Sequence, residues 1–228
     1  MIKFTILTCD KYIDIRCIAQ EQTFLKSQNY LFLTDTFVGE NIISYNTLQT
    51  YEAIQEKYIT FFKNYIFDMD YYFFIDDDTY VNINKIKNIK FDKNVCIGHL
   101  MILNSDGTDK NGNQTGYPME KISGENTYLP LTYVSGGAGF ILSKEICNKI
   151  KEYLKNSNNI PKSGHGDVSI GFWLRNIGIE IKHDKRFYDN VPSHIYEHRE
   201  FNRDDEYDAI TYHYVSPEDM QNYYEKYK

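Results

Sequence analysis

Three consecutive aspartates, Asp76, Asp77 and Asp78, directly follow the apolar run YYFFI at residues 71–75. Like charges at this spacing repel one another unless a cation lies among them, and carboxylate oxygens are the ligands that a hard divalent cation prefers. Alternate residues of an extended chain point to the same side, so we expect Asp76 and Asp78 to face one way and Asp77 the other. The stretch predicts a divalent metal site, with a solvated acidic turn that ends a strand as the alternative.

Two other phosphate or metal motifs fit this stretch poorly. An EF-hand loop needs a glycine and a distant glutamate at fixed offsets, which DDDTYVNINKIK lacks. A phosphatase that forms an aspartyl phosphate has its nucleophilic Asp near the start of the chain, and a Thr or Val where Tyr80 stands here. A metal that bridges a diphosphate needs only one or two carboxylates and a further protein ligand, because the substrate supplies the other oxygens. We expect that kind of site.

A second carboxylate suited to chemistry is Asp167, in the stretch GHGDVSIGF at residues 164–172. A general base needs a carboxylate within hydrogen-bond reach of a reacting hydroxyl, in a site that excludes water. The glycines beside Asp167 and the apolar residues after it permit such a site. The alternative is an Asp that caps a helix, and the two roles are compatible. His165 is the reserve candidate for the base.

These residues need elements to position them, and the first eighty residues alternate strand with helix. Apolar runs at 2–7, 30–35 and 71–75 predict strands, and helical spacing at 14–27 and 46–67 predicts helices between them. That alternation indicates an α/β fold with a doubly wound, largely parallel sheet.

Polar residues follow the carboxyl end of each predicted strand, at 8–11, at 34–35 and at 76–78. Ligands of doubly wound sheets bind beyond these ends, so we expect the three loops to converge on one crevice. This position favours the metal site over the solvated turn.

The rest of the chain predicts further strands and helices but no second domain. Residues 101–130 are rich in Asn, Gly, Asp and Ser, which indicates turns and short edge strands. Ser143 is the predicted N-cap of a helix, and Gly178 ends a later helix before a strand. The tail at 210–228 predicts a short strand, a turn and a terminal helix.

Composition limits the classes of partner. The chain has 228 residues, 42% of them hydrophobic, which fits a single domain over 1–228. Its formal net charge of -7 offers no basic field to a nucleic acid, so we expect no such partner. The first residues hold too short an apolar run for a signal peptide, and no segment approaches the ~20 apolar residues of a membrane span. We expect a soluble protein of a reducing cytoplasm, with its four cysteines unpaired.

Four blocks, in order, resemble the Fringe and core-1 β1,3-galactosyltransferase group of inverting glycosyltransferases. FFIDDDTYVNI is similar to the group's metal-binding segment, and YVSGGAGFILSKEIC to its Gly-Gly-Ala-Gly-Phe strand and following helix. GDVSIGFWLRNIGIEI is similar to the segment with the catalytic base, and YHYVSPEDM to a His-x-Val-x-Pro block. The opening ILTCDKYIDIRCIAQEQTF followed by LFLTD is a weaker match. The resemblance covers residues 2–222 and implies a GT-A fold, in which helices flank a mostly parallel, Rossmann-like sheet with a small antiparallel portion.

The resemblance also implies roles for individual residues. Asp76, Asp78 and His213 would bind Mn²⁺ or Mg²⁺, and Asp167 would be the general base. The UDP-sugar donor would contact residues at the strand ends: Thr8, Lys11, Arg16, Thr34, Asp35, Asp76, Asp77 and Asp78.

Three further residues are implied as substrate contacts, namely Gly136, Gly137 and Trp173. Glycine lets a backbone approach a sugar or acceptor closely because it has no Cβ. Ordinary structural roles stay open for several residues of the resemblance: a tight turn for the two glycines, the core for Trp173 and His213, and a surface charge for Arg16.

The implied reaction moves a hexose or N-acetylhexosamine from a UDP-sugar to an acceptor hydroxyl of a glycan or glycoprotein, with a β linkage to a sugar 3-hydroxyl expected. A non-catalytic sugar-nucleotide or glycan-binding module and a metal-dependent nucleotidyltransferase are the alternatives. Animal members of the group carry a Golgi anchor and disulfides, which this sequence does not indicate. Its bias toward Asn, Lys, Ile and Tyr suggests an AT-rich microbial or viral genome, in the second case with a location in the host cytoplasm. The acidic stretch at 197–208 has no counterpart in the group.

Overall fold

The strands of the protein include the predicted apolar runs and several shorter segments. The computed structural model describes residues 1–46, 50, 53–104, 130–157, 160, 163, 165–189 and 208–228. Most of the predicted turn region and of the acidic stretch, at 105–129 and 197–207, lies outside these residues. The described strands are β1 (Ile2–Leu7), β2 (Asn29–Thr34), β3 (Ile42–Ser44), β4 (Tyr71–Asp76), β5 (Tyr80–Val81), β6 (Val95–Gly98), β7 (Leu100–Leu103), β8 (Leu131–Val134), β9 (Phe140–Ser143), β10 (Glu180–His183), β11 (Phe187–Tyr188) and β12 (Thr211–Tyr212).

Seven of these strands form the central sheet, in the order β10-β6-β9-β4-β1-β2-β3. Neighbouring strands are parallel except where β9 runs antiparallel to β4 and to β6. The continuous apolar runs of β1, β2 and β4 suit this position because both faces of the sheet are covered. The predicted mostly parallel α/β fold with an antiparallel portion is confirmed.

The register of the central strands brings their carboxyl ends to one level. Leu7 at the end of β1 lies opposite Leu33 of β2 and opposite Asp76 of β4. The N–H of Thr8 continues the ladder by donating to the carbonyl of Leu33 at 3.0 Å. The loops after these three strands therefore begin side by side, as predicted.

Helices cover both faces of the sheet. They are α1 (Ile18–Gln22), α2 (Ala53–Asn64), α3 (Ile83–Ile86), α4 (Lys144–Asn156), α5 (Gly166–Asn176) and α6 (Pro217–Tyr227). Helices α2, α4 and α5 pack against one another on one face, while α1 and α6 pack together on the other. Each face has its own apolar cluster, so both faces of the sheet are packed against helices.

Two helices are shorter than the sequence predicts. A 3₁₀ turn at Asp10–Tyr12 precedes the predicted helix at 14–27, which is divided into a π turn at Ile13–Cys17 and α1. It ends at Thr23, whose hydroxyl donates to the carbonyl of Ala19 at 2.7 Å and competes with the helical bonds. The predicted helix at 46–67 is described from Ala53 and ends at Asn64.

The predicted helix signals in the second half are confirmed. The hydroxyl of Ser143 accepts the N–H of Ile146 at 3.2 Å and caps α4. Gly178 has a φ of 70°, a conformation that suits glycine, and follows the end of α5. Ser216 caps α6 by accepting the N–H of Asp219 at 3.1 Å.

Two small sheets complete the described fold. Strand β12 lies between β11 and β5, parallel to the first and antiparallel to the second, and β7 pairs antiparallel with β8. The pairing of Tyr212 with Tyr80 brings the residues after β12 alongside the end of β4. No helix among the described residues is long and apolar enough to cross a membrane.

Candidate active site

A cleft of about 570 Å³ opens at the carboxyl ends of β1, β2 and β4. Its walls come from all three strand-end loops, from α2, from the glycine turn before β9, from the start of α5 and from the turn after β12. Eight of the residues predicted to carry chemistry line it, namely Thr8, Arg16, Asp35, Asp76, Asp77, Asp78, Asp167 and His213, together with Gly136 and Gly137. The predicted convergence on one crevice is therefore observed.

The three aspartates alternate in direction. One ligand atom from each of Asp76, Asp78 and His213 lies within 4.8 Å of the others. Asp77 is not part of this cluster, and its carboxylate accepts the hydroxyl of Thr8 and the guanidinium of Arg16, both at 2.7 Å. Two carboxylates and an imidazole thus lie together in the cleft, while the middle carboxylate is bonded to neighbouring side chains of the protein.

Backbone contacts hold His213 beside the acidic turn. The N–H of Val215 donates to the carbonyl of Asp78 at 2.8 Å. The hydroxyl of Thr79 donates to the carbonyl of Gly137 at 2.7 Å. A Cβ built on Gly137 would fall within the imidazole ring of His213, so this glycine makes room for the ring. The group that approaches the backbone of Gly137 closely here is a side chain of the protein, and because Gly137 also lines the cleft, its role as a substrate contact stays a prediction.

Charges within the cluster are strongly coupled. Burial and the charge of Asp78 raise the pKa of Asp76 to about 7. Burial also opposes the charged forms of Asp78 and His213, but the hydrogen bond and attraction between these two prevail, so the pKa of Asp78 is lowered and that of His213 is raised. Carboxylates crowded in this way favour a cation among them, and two oxygens with one nitrogen suit Mn²⁺ or Mg²⁺. The donor set therefore fits the implied metal.

Arg16 is the cation nearest the acidic turn. Its guanidinium bonds Asp77 at 2.7 Å and Asp78 at 3.3 Å, and it lies 4.0 Å above the ring of Tyr12. Its side chain is 29% exposed and lines the cleft. The surface-charge alternative is excluded, since Arg16 compensates the charge of the turn.

Asp167 also lines the cleft, in the first turn of α5. The residue before the helix is His165, which does not line the cleft, so Asp167 is not the N-cap considered from the sequence. One oxygen of Asp167 accepts the N–H of Val168 at 2.8 Å and the other that of Gly136 at 3.4 Å. Burial raises the pKa of Asp167 to about 6, the charge of Asp189 adds to this, and the two N–H donors oppose it.

The cleft beyond the acidic turn has a buried ion pair that the sequence did not indicate. Lys57 of α2 lies 2.7 Å from the carboxylate of Asp35 and donates to the carbonyl of Thr8 at 2.6 Å. Both side chains of the pair are almost fully buried. Asp35 therefore reaches the cleft, as predicted, with its charge compensated by Lys57.

Three predicted contacts lie away from the cleft. Thr34 is buried and its hydroxyl donates to Asp10 at 2.7 Å. Lys11 is exposed and lies over the ring of Tyr12. Trp173 is fully buried against Phe62, with ring centroids 6.1 Å apart, which confirms the core alternative and corrects its assignment as a substrate contact.

Two further residues line the cleft that the sequence analysis missed, Asp189 and Tyr214. Asp189 follows β11 and accepts the hydroxyl of Ser135. Tyr214 is 52% exposed, stacks on His213 with ring centroids 3.6 Å apart, and has a φ of 58°. Neither position carries a local sequence signal, because each residue reaches the cleft only through the pairing of two-residue strands.

Comparison with known proteins gives a family match. The family model described as Galactosyltransferase matches residues 31–185, which is more than half of the chain. The matched range contains the acidic turn, Gly136 and Asp167, and it ends before His213.

Two solved structures are similar to this one. A glycosyltransferase described as involved in the glycosylation of the major capsid of PBCV-1 aligns over 99% of this chain and 98% of its own, with 14% identity and a TM-score of 0.52. A structure of galactosyltransferase LgtC, in complex with donor and acceptor sugar analogs, aligns over 94% of this chain and 87% of its own, with 14% identity and a TM-score of 0.49. The first of these likenesses shows the fold, which is of the GT-A glycosyltransferase type.

Proposed function

Because the chain belongs to the galactosyltransferase family, we propose that it is a metal-dependent, inverting enzyme that moves a hexose or N-acetylhexosamine from a UDP-sugar to an acceptor hydroxyl. One observation carries the proposal. The cluster of Asp76, Asp78 and His213 and the carboxylate of Asp167 line a single cleft at the strand ends. A metal-diphosphate site and a base in one cleft are what transfer to a hydroxyl requires.

The donor would lie with its diphosphate at Asp76, Asp78 and His213, and with its nucleoside toward Thr8 and Asp35. The chemistry that Mn²⁺ or Mg²⁺ supplies when bound is neutralisation of the diphosphate charge as the leaving group departs. Arg16 partly compensates the charge of the acidic turn through Asp77 and Asp78.

Asp167 would act on the acceptor. Its carboxylate takes the proton of the acceptor hydroxyl while that oxygen bonds to the anomeric carbon and the bond from this carbon to UDP breaks. Attack from the face opposite UDP inverts the anomeric centre, so an α-linked donor gives a β-linked product. No enzyme nucleophile is needed, in contrast to a double displacement. The acceptor is a glycan or glycoprotein, and the transfer to a 3-hydroxyl in the manner of the Fringe and core-1 group is part of the proposal.

The test is release of UDP from UDP-Gal, UDP-GlcNAc, UDP-Glc and UDP-GalNAc, with and without Mn²⁺. We expect one donor to be hydrolysed or transferred in a Mn²⁺-dependent way, and the activity to be lost in Asp78→Ala and in Asp167→Asn. Glu180→Gln, which removes an exposed charge on the edge strand β10, is the control. NMR of the product then assigns its anomeric configuration, and retention would contradict the role of Asp167.

The non-catalytic alternative predicts a different pattern. A sugar-nucleotide-binding module would bind UDP with Mn²⁺ but release none from any donor, and Asp167→Asn would alter nothing except stability. Tight UDP binding that does not depend on the metal would contradict the proposed site itself.

A further inference from the structure

His213 presents both ring nitrogens to carboxylates. Nε2 lies 3.4 Å from Asp78, on the side of the candidate metal site, and Nδ1 lies 3.9 Å from Oδ1 of Asp189. The residue is 91% buried, and its Nδ1 has no hydrogen-bond partner among the residues that the structure describes. A buried polar atom without a hydrogen-bond partner lowers stability, so the absence of a partner for Nδ1 calls for an explanation.

Asp189 is held in place from two sides. The backbone pairing of Tyr188 with Tyr212 sets Asp189 next to His213 along the parallel strands β11 and β12. The oxygen that faces Nδ1 also accepts the hydroxyl of Ser135, and the oxygen of this hydroxyl accepts the N–H of Ala138 at 3.2 Å. The carboxylate is therefore tied to the glycine turn, whose Gly137 touches the other side of the imidazole.

We propose that Asp189 is the positioning residue of His213. Its carboxylate accepts a hydrogen bond from Nδ1–H, which leaves the lone pair of Nε2 directed toward the space between Asp76 and Asp78. The proposal rests on the metal site of the proposed function. A neutral imidazole carries its proton on one nitrogen only, so a fixed acceptor at Nδ1 selects the tautomer whose Nε2 can bind a metal. The 3.9 Å between Nδ1 and Oδ1 of Asp189 is longer than a hydrogen bond, so this bond would have to form as Nε2 binds its metal.

Partners of this kind matter for metal affinity. A ligating histidine commonly donates its second N–H to a carboxylate, and loss of that partner typically lowers metal affinity by about 10–100-fold. Ser135 belongs to the same unit because it orients the carboxylate, so its loss is expected to have a smaller effect in the same direction.

The first experiment measures Mn²⁺ affinity of the full chain by the EPR signal of free Mn²⁺, without any donor. We expect Asp189→Ala to bind Mn²⁺ about 10–100-fold more weakly than the wild type. Asp189→Asn should keep most of the wild-type affinity, because its amide oxygen still accepts a hydrogen bond from Nδ1–H. Glu180→Gln is the matched loss of an exposed charge and should bind as the wild type does. Equal affinity in Asp189→Ala and the wild type, or an equally weak Asp189→Asn, would overturn the assignment.

A second measurement uses the wild-type protein with saturating Mg²⁺, which is diamagnetic, and so does not depend on how a variant folds. The ¹⁵N shifts of the His213 ring at pH 8.5, assigned by comparison with His213→Asn, should report a proton on Nδ1. A proton on Nε2 would contradict the proposal. Asp78→Ala distinguishes failure of the metal site from failure of the role of Asp189. If Asp78→Ala leaves Mn²⁺ affinity unchanged, the proposed metal site is wrong. If Asp78→Ala abolishes Mn²⁺ binding while Asp189→Ala does not alter it, only the role of Asp189 is wrong.

Discussion

The N–H of Val215 donates to the carbonyl of Asp78 at 2.8 Å, which joins the acidic turn after β4 to the turn that carries His213. The bond is possible because β12 pairs with β5, the short strand that follows the acidic turn. The candidate metal site, assembled from two distant segments, thus depends on backbone pairing as much as on its side chains. Individual side chains of the site can therefore be tested for function apart from the scaffold.

The three aspartates should differ sharply in their effect on metal binding. We expect Asp78→Asn to lower Mn²⁺ affinity by at least about 100-fold, because it removes a ligand charge from the cleft. Asp77→Asn should change the affinity by no more than about threefold, since Asp77 is not part of the cluster and its carboxylate is bonded to Thr8 and Arg16. Isothermal titration with Mn²⁺ measures both, and equal losses in the two variants would show that the alternation in direction has no functional meaning.

Asp77→Asn should instead affect stability. Its neutral amide leaves Arg16 without its closest anionic partner, and because Arg16 is partly exposed we expect a cost of about 1 kcal/mol. Urea denaturation measures this change in the free energy of unfolding.

The acidic turn and its strand were predictable because their signals are local. A continuous apolar run followed by carboxylates, and a sheet whose strand ends meet, were enough to place Asp76 and Asp78 on one side and Asp77 on the other. Capping signals such as Ser143 were local in the same way.

Other residues depended on contacts that no local pattern reveals. Lys57 lies in an amphipathic helix, where a lysine normally indicates a solvent-facing position, yet it is buried because the helix crosses the ends of β1 and β2 at Asp35. Thr34 was expected in the cleft, but its hydroxyl is directed to Asp10 of the neighbouring loop. Asp189 reaches the site through a two-residue strand, which is too short to leave a pattern.

Gly137→Ala should damage the metal site. Its methyl group would occupy the space of the His213 ring, so the ring must move, and we expect a loss of stability of about 1–3 kcal/mol together with weaker Mn²⁺ binding. Thermal denaturation and the Mn²⁺ titration measure the two effects. A variant with wild-type affinity would mean that His213 need not stay where the structure has it.

Gly136→Ala should separate activity from stability. A Cβ at this position makes only ordinary contacts, with the nearest atom of Asp167 at 3.5 Å, so we expect the free energy of unfolding to change by less than about 0.5 kcal/mol. If the turn is where sugar or acceptor approaches, the added methyl group beside Asp167 should lower kcat/KM by at least about tenfold.

Gly178→Ala is the matched control for that substitution. It has no neighbour within 4 Å but a φ of 70°, so it should cost about 1 kcal/mol of stability and leave kcat/KM unchanged. If Gly136→Ala keeps the wild-type kcat/KM, the role of Gly136 is that of a tight-turn residue and not of a substrate contact.

The pH dependence of turnover should report Asp167. A general base works only when deprotonated, and because burial and the charge of Asp189 raise the pKa of Asp167 to about 6, kcat/KM should rise with pH up to a plateau above neutrality. At one pH unit below the pKa the rate should be about a tenth of the plateau value. Mn²⁺ must be kept saturating at every pH, so that loss of metal from His213 is not mistaken for protonation of the base. Asp167→Asn should lower the plateau by about 10²–10⁴-fold and abolish the acidic limb, and a variant that kept this limb would assign it to another group.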